Sequence, residues 1–479
     1  MTKRPPGSGL VPLAVLVALC VSACGSLAPT YQRPPAPVPA QWPGSQTSTA
    51  QPAATVADTA VPAAELAWQD YLTDDALQQV ITFALAHNRD LRIALLNVEL
   101  ARAQLGLRRA DQLPTVNASA GGSRAPNSAG GITSMYSAGL TVTAYELDFF
   151  DRVANLKDQA LAQYLASEEG SRTARIGLIA TVAQTWLTLL ADEELLSLSR
   201  QALTSRDATL ALVQLRFQHG AASALELSIA RSLAESARVT LAQQQRQRAL
   251  DENALTLLMG QPLPALLRRQ LQPGHLTRQQ LKNLPADLPS DLLQRRPDIR
   301  QAEQLLVASN AGIGAARAAF FPRISLTTGA GMVSNALTGL FSGGSWGFSF
   351  APQLVLPLLD GGRNQAQLDA ALTGQNVAIA QYDRTVQTAF REVADALASR
   401  DAWIRQLTAQ QAQTDAEADR LRLTDLRLQN GAASLLEWLD AERSVFAARQ
   451  SLVQTRLAGL QNQITLYKAL GGGDLVVGR

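Results

Sequence analysis

Between Pro126 and Pro262, and again after Pro357, the chain has no proline, and apolar residues return there with helical spacing. Val182, Leu189, Leu196, Leu203, Leu210 and Phe217 recur every seven residues, the mark of a coiled-coil seam. The second stretch carries Val393, Leu407, Leu421 and Leu428 in the equivalent register, with Arg400 and Thr414 interrupting it. Each stretch predicts one helix of roughly 68 residues, about 100 Å long at the helical rise. Further helices are predicted over residues 74–112, 223–259, 291–320 and 434–470. A two-residue period takes over elsewhere. In GLTVTAYEL, Leu140, Val142 and Ala144 face one way and Thr141, Thr143 and Tyr145 the other. In GFSFAPQLVL, Phe348, Phe350, Leu354 and Leu356 oppose Ser349, Ala351 and Gln353; TVNASAG and RISLTTGAG place Val116 and Ala118, then Ile324 and Leu326, on their apolar sides. Strands of about 9 to 11 residues have the length that crosses a bilayer at a tilt, although a soluble sandwich also alternates.

The pattern occurs twice. LRFQHGAASALE from Leu215 and LRLQNGAASLLE from Leu426 agree at nine of twelve positions, and Pro114 parallels Pro322. YELDFFDRVANL likewise parallels LVLPLLDGGRNQ. Such self-similarity marks a duplicated supersecondary unit. Gly220 and Gly431 stand where a helix ends in the left-handed conformation. Ser223 with Glu226, and Ser434 with Glu437, fit the capping box that starts the next helix. Both segments therefore read as hairpin tips.

Four strands per chain cannot close a barrel around water, and sheet edges open to lipid leave backbone groups unsatisfied. Subunits must then share the barrel. Three copies of a two-fold repeat give twelve strands and a twelve-helix tube.

The N-terminus adds a destination. Lys3 and Arg4 precede an apolar run too short for a comfortable membrane span but suited to a signal peptide. Val21-Ser22-Ala23-Cys24 fits a lipobox, in which cleavage leaves Cys24 as an S-diacylglycerol, N-acyl residue; an ordinary secretory signal is the alternative. Gly25 rather than Asp follows, as in lipoproteins exported to the outer membrane. The expected organisation is a signal peptide over 1–23, a lipidated tether over 24–67 rich in Pro, Ala, Thr and Gln, a first repeat over 68–262, a linker over 263–290, a second repeat over 291–471 and a tail over 472–479.

Composition narrows the chemistry. Charged residues make up 17% of the chain with a formal net charge of +2, which is no footprint for nucleic acid. Three His and two Cys show no metal-ligand spacing, so no metal or cofactor beyond the Cys24 lipid is expected. GGSWG satisfies G-x-S-x-G around Ser345, but it precedes a strand in a Gly-rich loop rather than forming a strand-to-helix elbow, so no enzyme is read here. Gly121, Gly122, Gly130, Gly131, Gly343 and Gly344 read as outer loops, and Arg295-Arg296-Pro297-Asp298 as a structural corner.

These motifs, together with LPSDLLQRRPDIRQAE from Leu288, FFPRISL from Phe320, LDGGRN from Leu359 and the final LYKALGGG, resemble those of the outer-membrane factors of tripartite efflux pumps, the TolC-like lipoproteins of the OprM/NodT type. The resemblance spans nearly the whole mature chain. It departs at Asp151, where relatives tend to carry Gly before Arg152. It implies a mainly α homotrimer: a twelve-stranded outer-membrane β-barrel continued by a long periplasmic α-barrel. The implied partners are a periplasmic adaptor and an inner-membrane transporter of the resistance-nodulation-division class. Leu436, Glu437 and Asp440 match positions that line the closed periplasmic aperture, where three-fold symmetry repeats acids as rings. Capping alone also explains a Glu at 437, as Glu226 illustrates, and Trp438 reads as packing. A duct for polypeptide secretion and a lipid-anchored coiled-coil scaffold without a pore are the competing readings.

Overall fold

A computed structural model describes residues 25–39, 42, 66–126, 128, 130–282, 284 and 295–473. The signal peptide, Cys24, most of the tether and the end of the tail lie outside the described residues. The elements are α1 (Trp68–Tyr71), α2 (Asp75–His87), α3 (Arg89–Ala110), β1 (Val116–Pro126), β2 (Ile132–Leu147), α4 (Arg152–Gln218), α5 (Ala224–Met259), α6 (Ala265–Arg268), α7 (His275–Arg278), α8 (Pro297–Ala318), β3 (Arg323–Ser334), β4 (Trp346–Val355), α9 (Arg363–Gln429) and α10 (Leu435–Ala469). α4 and α9 have 67 residues each, and α5 and α10 have 36 and 35. The chain divides into two compact units, one of residues 25–35, 96–169 and 300–384, the other of the remainder.

In the first unit the strands form one antiparallel sheet in the order β1-β2-β3-β4. Gly139 pairs with Gly331, and a Cβ on Gly139 would stand 2.5 Å from the Ala330 carbonyl, so these strands approach only without side chains. Gly121 and Gly122 do not form a loop: they lie within β1, where a Cβ on Gly122 would meet the Tyr136 ring at 3.0 Å. The alternation read through Ala144 also breaks. Between Val142 and Tyr145 the register shifts by one residue, and Ala144 sits at φ 52° with its N–H donated to Thr327 Oγ1. One face of the sheet is apolar, with Leu140, Phe348, Phe350 and Leu354 each more than half exposed.

Both strand-to-helix junctions use an aspartate. Asp148 Oδ2 accepts from Ala154 N at 2.7 Å, and Asp360 accepts from Gly362 N and Asn364 N. Beside the first junction, Arg152 grips Glu146 through two bonds of 2.7 Å, and Arg323 adds a third of 2.6 Å. A strap formed by residues 26–33 runs against α8. Arg317 and Asn310 donate to the carbonyls of Leu27 and Pro29, while Tyr31 and Arg33 both donate to Glu303. Ala28 fills a notch open only because residue 314 is Gly. The start of the strap thus lies by the α8 C-terminus, which leads into β3.

In the second unit the helix predicted over 74–112 is broken at Asn88. Its side chain donates to Leu258 O, accepts from Leu91 N at 2.8 Å, and so caps a new helix. The heptad seam holds through Val182, Leu189 and Leu196, all buried. Then it shifts. Ser199, Arg206 and Val213 take the buried positions and Phe217 is 42% exposed, as expected when a 3.6-residue helix drifts against a seven-residue repeat. Thr414 does not interrupt its seam: it is buried, with its hydroxyl bonded to the carbonyls of Gln410 and Ala448. Tyr71 stacks on Tyr467 at 4.1 Å between ring centres.

The Arg-Arg-Pro-Asp corner is built around Arg296, which is 7% exposed. It forks onto Asp298, reaches Glu392 at 2.9 Å and donates to Ala469 O at 2.7 Å. One guanidinium therefore ties α8 to α9 and to the end of α10.

Candidate functional site

The two hairpin tips have one backbone. Gly220 and Gly431 take φ 72° and 73°, each N–H returns to a carbonyl three residues back, and the next residue bonds to the carbonyl of Arg216 or Arg427. These arginines also donate side-chain bonds to the carbonyls of Ala221 and Ala432. An L residue with a bulky side chain is disfavoured at such a φ, which explains the twin glycines.

They differ at the cap. In the first tip the capping box is complete: Ser223 Oγ accepts from Glu226 N, and Glu226 accepts from Ser223 N at 2.6 Å. These bonds hold the Glu226 carboxyl below the usual range. In the second tip only the serine half forms, with Glu437 N donated to Ser434 Oγ at 3.2 Å. The Glu437 carboxylate instead faces Arg427 at 4.0 Å, so capping does not account for this glutamate.

Leu436, Glu437 and Asp440 share the exposed side of the first turns of α10, with Leu436 60% exposed. Leu439, Ala441 and Val445 form the buried side, and Trp438 is half-buried between them. Asp440 is not a bare acid. Arg420 approaches it at 3.2 Å from α9 and Arg443 at 2.5 Å from the next turn of α10. Arg420 also contacts Glu417 at 3.1 Å and donates to Ser444 Oγ at 2.9 Å. An alternating charge network thus crosses the second hairpin. In the first tip the counterpart of Asp440 is Ile229, which cannot join such a network.

The sequence reading found the acids and missed Arg420, Arg443 and Ser444. Arg443 was accessible from its i, i+3 spacing to Asp440. Arg420 required the register of α9 on α10. Ser345 has its hydroxyl bonded to the carbonyls of Leu340 and Ser342, and no cluster of three metal-ligating side chains occurs among the described residues.

Comparison with known proteins places this geometry. The family model described as outer membrane efflux protein matches residues 80–261 and 288–472. The probable efflux pump outer membrane protein TtgC of Pseudomonas putida is 46% identical over 471 residues, 97% of this chain and 95% of that protein. Outer membrane protein OprJ of Pseudomonas aeruginosa is 43% identical over 98% of this chain and 97% of its own length. The open state of the Neisseria gonorrhoeae MtrE outer membrane channel superposes with a TM-score of 0.83 at 37% identity, covering 94% of this chain and 98% of that one. With matched elements running from α2 to the end of α10, the chain belongs to the outer membrane efflux protein family.

Proposed function

We propose that three copies of this chain form the outer-membrane duct of a tripartite efflux pump, passing small molecules handed on by an inner-membrane transporter through a periplasmic adaptor. The observation that carries the reading is the open sheet. Among the described residues β1 and β4 each have one unpaired edge, while one face of the sheet between them carries exposed Leu140, Phe348, Phe350 and Leu354. Such edges are tolerated in lipid only when closed onto other strands, and three chains would close twelve. The matching 67-residue helices supply the corresponding wall, and the two halves read as a duplicated unit. Relatives are named for toluene, solvent and antibiotic efflux, which supports small hydrophobic and drug-like cargo.

Cys24 is the proposed acylation site. The described strap begins just after it, with Leu27 O bonded to Arg317 near the end of α8. The second hairpin is the proposed gate, with Leu436, Glu437 and Asp440 at the aperture and Arg420 and Arg443 holding Asp440 in place. Driving energy belongs to the transporter, since the residues at the tip supply charge and packing rather than chemistry. Deleting the gene and following accumulation of a fluorescent efflux substrate tests the role. Increased accumulation restored by the intact chain supports it; unchanged accumulation of every substrate tried, with loss of a secreted polypeptide, points to the secretion duct.

A further inference from the structure

A cavity of about 270 Å³ opens in the second unit, lined by α7, α9, α10 and residues 279, 282 and 284. Its apolar wall is formed by Trp403, Ile404, Leu407 and Leu460, and Gln279 and Asn462 add polar groups. Tyr71 closes the floor, fully buried with its hydroxyl on Gln463 O and its ring stacked on Tyr467. Three cations, Lys282, Arg400 and Arg456, also line the cavity.

None of the three makes an ion pair among the described residues, and Glu194, the carboxylate whose field reaches Arg456, stands outside ion-pair distance. Arg248 and Arg296 in the same unit are each held by two carboxylates. The cavity arginines are fixed instead on neutral acceptors: Arg400 donates to Leu284 O at 3.0 Å, and Arg456 to Thr277 Oγ1 at 2.8 Å. Each bond occupies one N–H of a five-donor fork, leaving the others to be matched. Arginines without an ion pair among the described residues, set beside apolar side chains, suit an anion with an apolar body.

We propose that this cavity binds a small aromatic carboxylate, its ring against Trp403 and its carboxylate between Arg400 and Arg456. Size limits the body to about one or two rings, since an apolar cavity of about 150 Å³ already accepts benzene. The bound anion ties α9 to α10 through their own side chains. This site is separate from the gate and does not depend on it.

The test uses the full-length, detergent-purified protein and 4-fluorobenzoate followed by fluorine NMR. Expected is saturable binding, displaced by benzoate but not by equal concentrations of benzyl alcohol or inorganic phosphate. Arg400→Gln with Arg456→Gln should weaken it roughly tenfold or more, the loss of charge-assisted bonds. Gly459→Leu leaves the cations in place and fills the space beside Trp403, where a Cβ would stand at 3.9 Å, and should abolish binding. If the double arginine variant fails to fold, Gly459→Leu decides the matter. Absence of saturable binding, equal displacement by benzyl alcohol or phosphate, or affinity unchanged by Gly459→Leu would overturn the proposal.

Discussion

Arg420 on α9 reaches Asp440 on α10 at 3.2 Å, closing the second hairpin on itself across two helices. Both side chains are nearly half exposed, so the pair contributes about 0.2–1 kcal/mol to folding. Its value lies in geometry. If it holds the tip closed, Arg420→Ala and Asp440→Ala should each raise resting conductance in planar bilayers, and the double variant should add little to either. Independent, additive effects would show that the two residues do not act as one latch.

Asp192 on α4 gives the account a pH dependence. Burial, followed by a hydrogen bond and repulsion from Asp251, pushes it from 3.8 up to about 7, with Arg248 opposing. The folded chain therefore keeps this proton where the unfolded chain has lost it. The associated stability is full below about pH 4 and is lost as pH rises to about 7. Asp192→Asn should flatten the fall in melting temperature between pH 5 and 8, measured by circular dichroism. An equal fall in the variant would place the titration elsewhere.

Asp151 occupies the left-handed region at φ 53°, a conformation that glycine takes without strain. Burial and the nearby Asp148 and Asp158 also push its carboxyl up. Asp151→Gly removes both strains and should stabilise the protein by about 1 kcal/mol. Asp151→Ala keeps the Cβ and should not. Thermal melts of the two variants distinguish backbone strain from charge, because relief by alanine would assign the effect to charge.

Arg296 is bound on every side. Arg296→Ala strands two carboxylates and should cost about 3–5 kcal/mol, while Arg296→Lys, which cannot fork onto Asp298, should fall between. Denaturant midpoints check the order. A lysine variant as stable as the original would mean that charge alone sustains the corner.

Much of this architecture was legible because its causes are local. Proline-free stretches with apolar spacing gave α4 and α9, and Gly431 with Ser434 gave a tip. What escaped depends on partners distant in sequence. Asn88 breaks a helix because Leu258 lies opposite, and Gly122 belongs to a strand because the Tyr136 ring needs its space. Phe217 leaves the buried seam because periodicity drifts over several turns. At the tip, Glu437 and Asp440 were visible as acids, but Arg420 and Arg427 were not visible as their counterions.

The mass of the detergent-solubilised particle, corrected for bound detergent, tests the central claim most directly. The account predicts three chains per particle, because β1 and β4 of one copy need the edges of its neighbours. A folded, membrane-inserted single chain would contradict it.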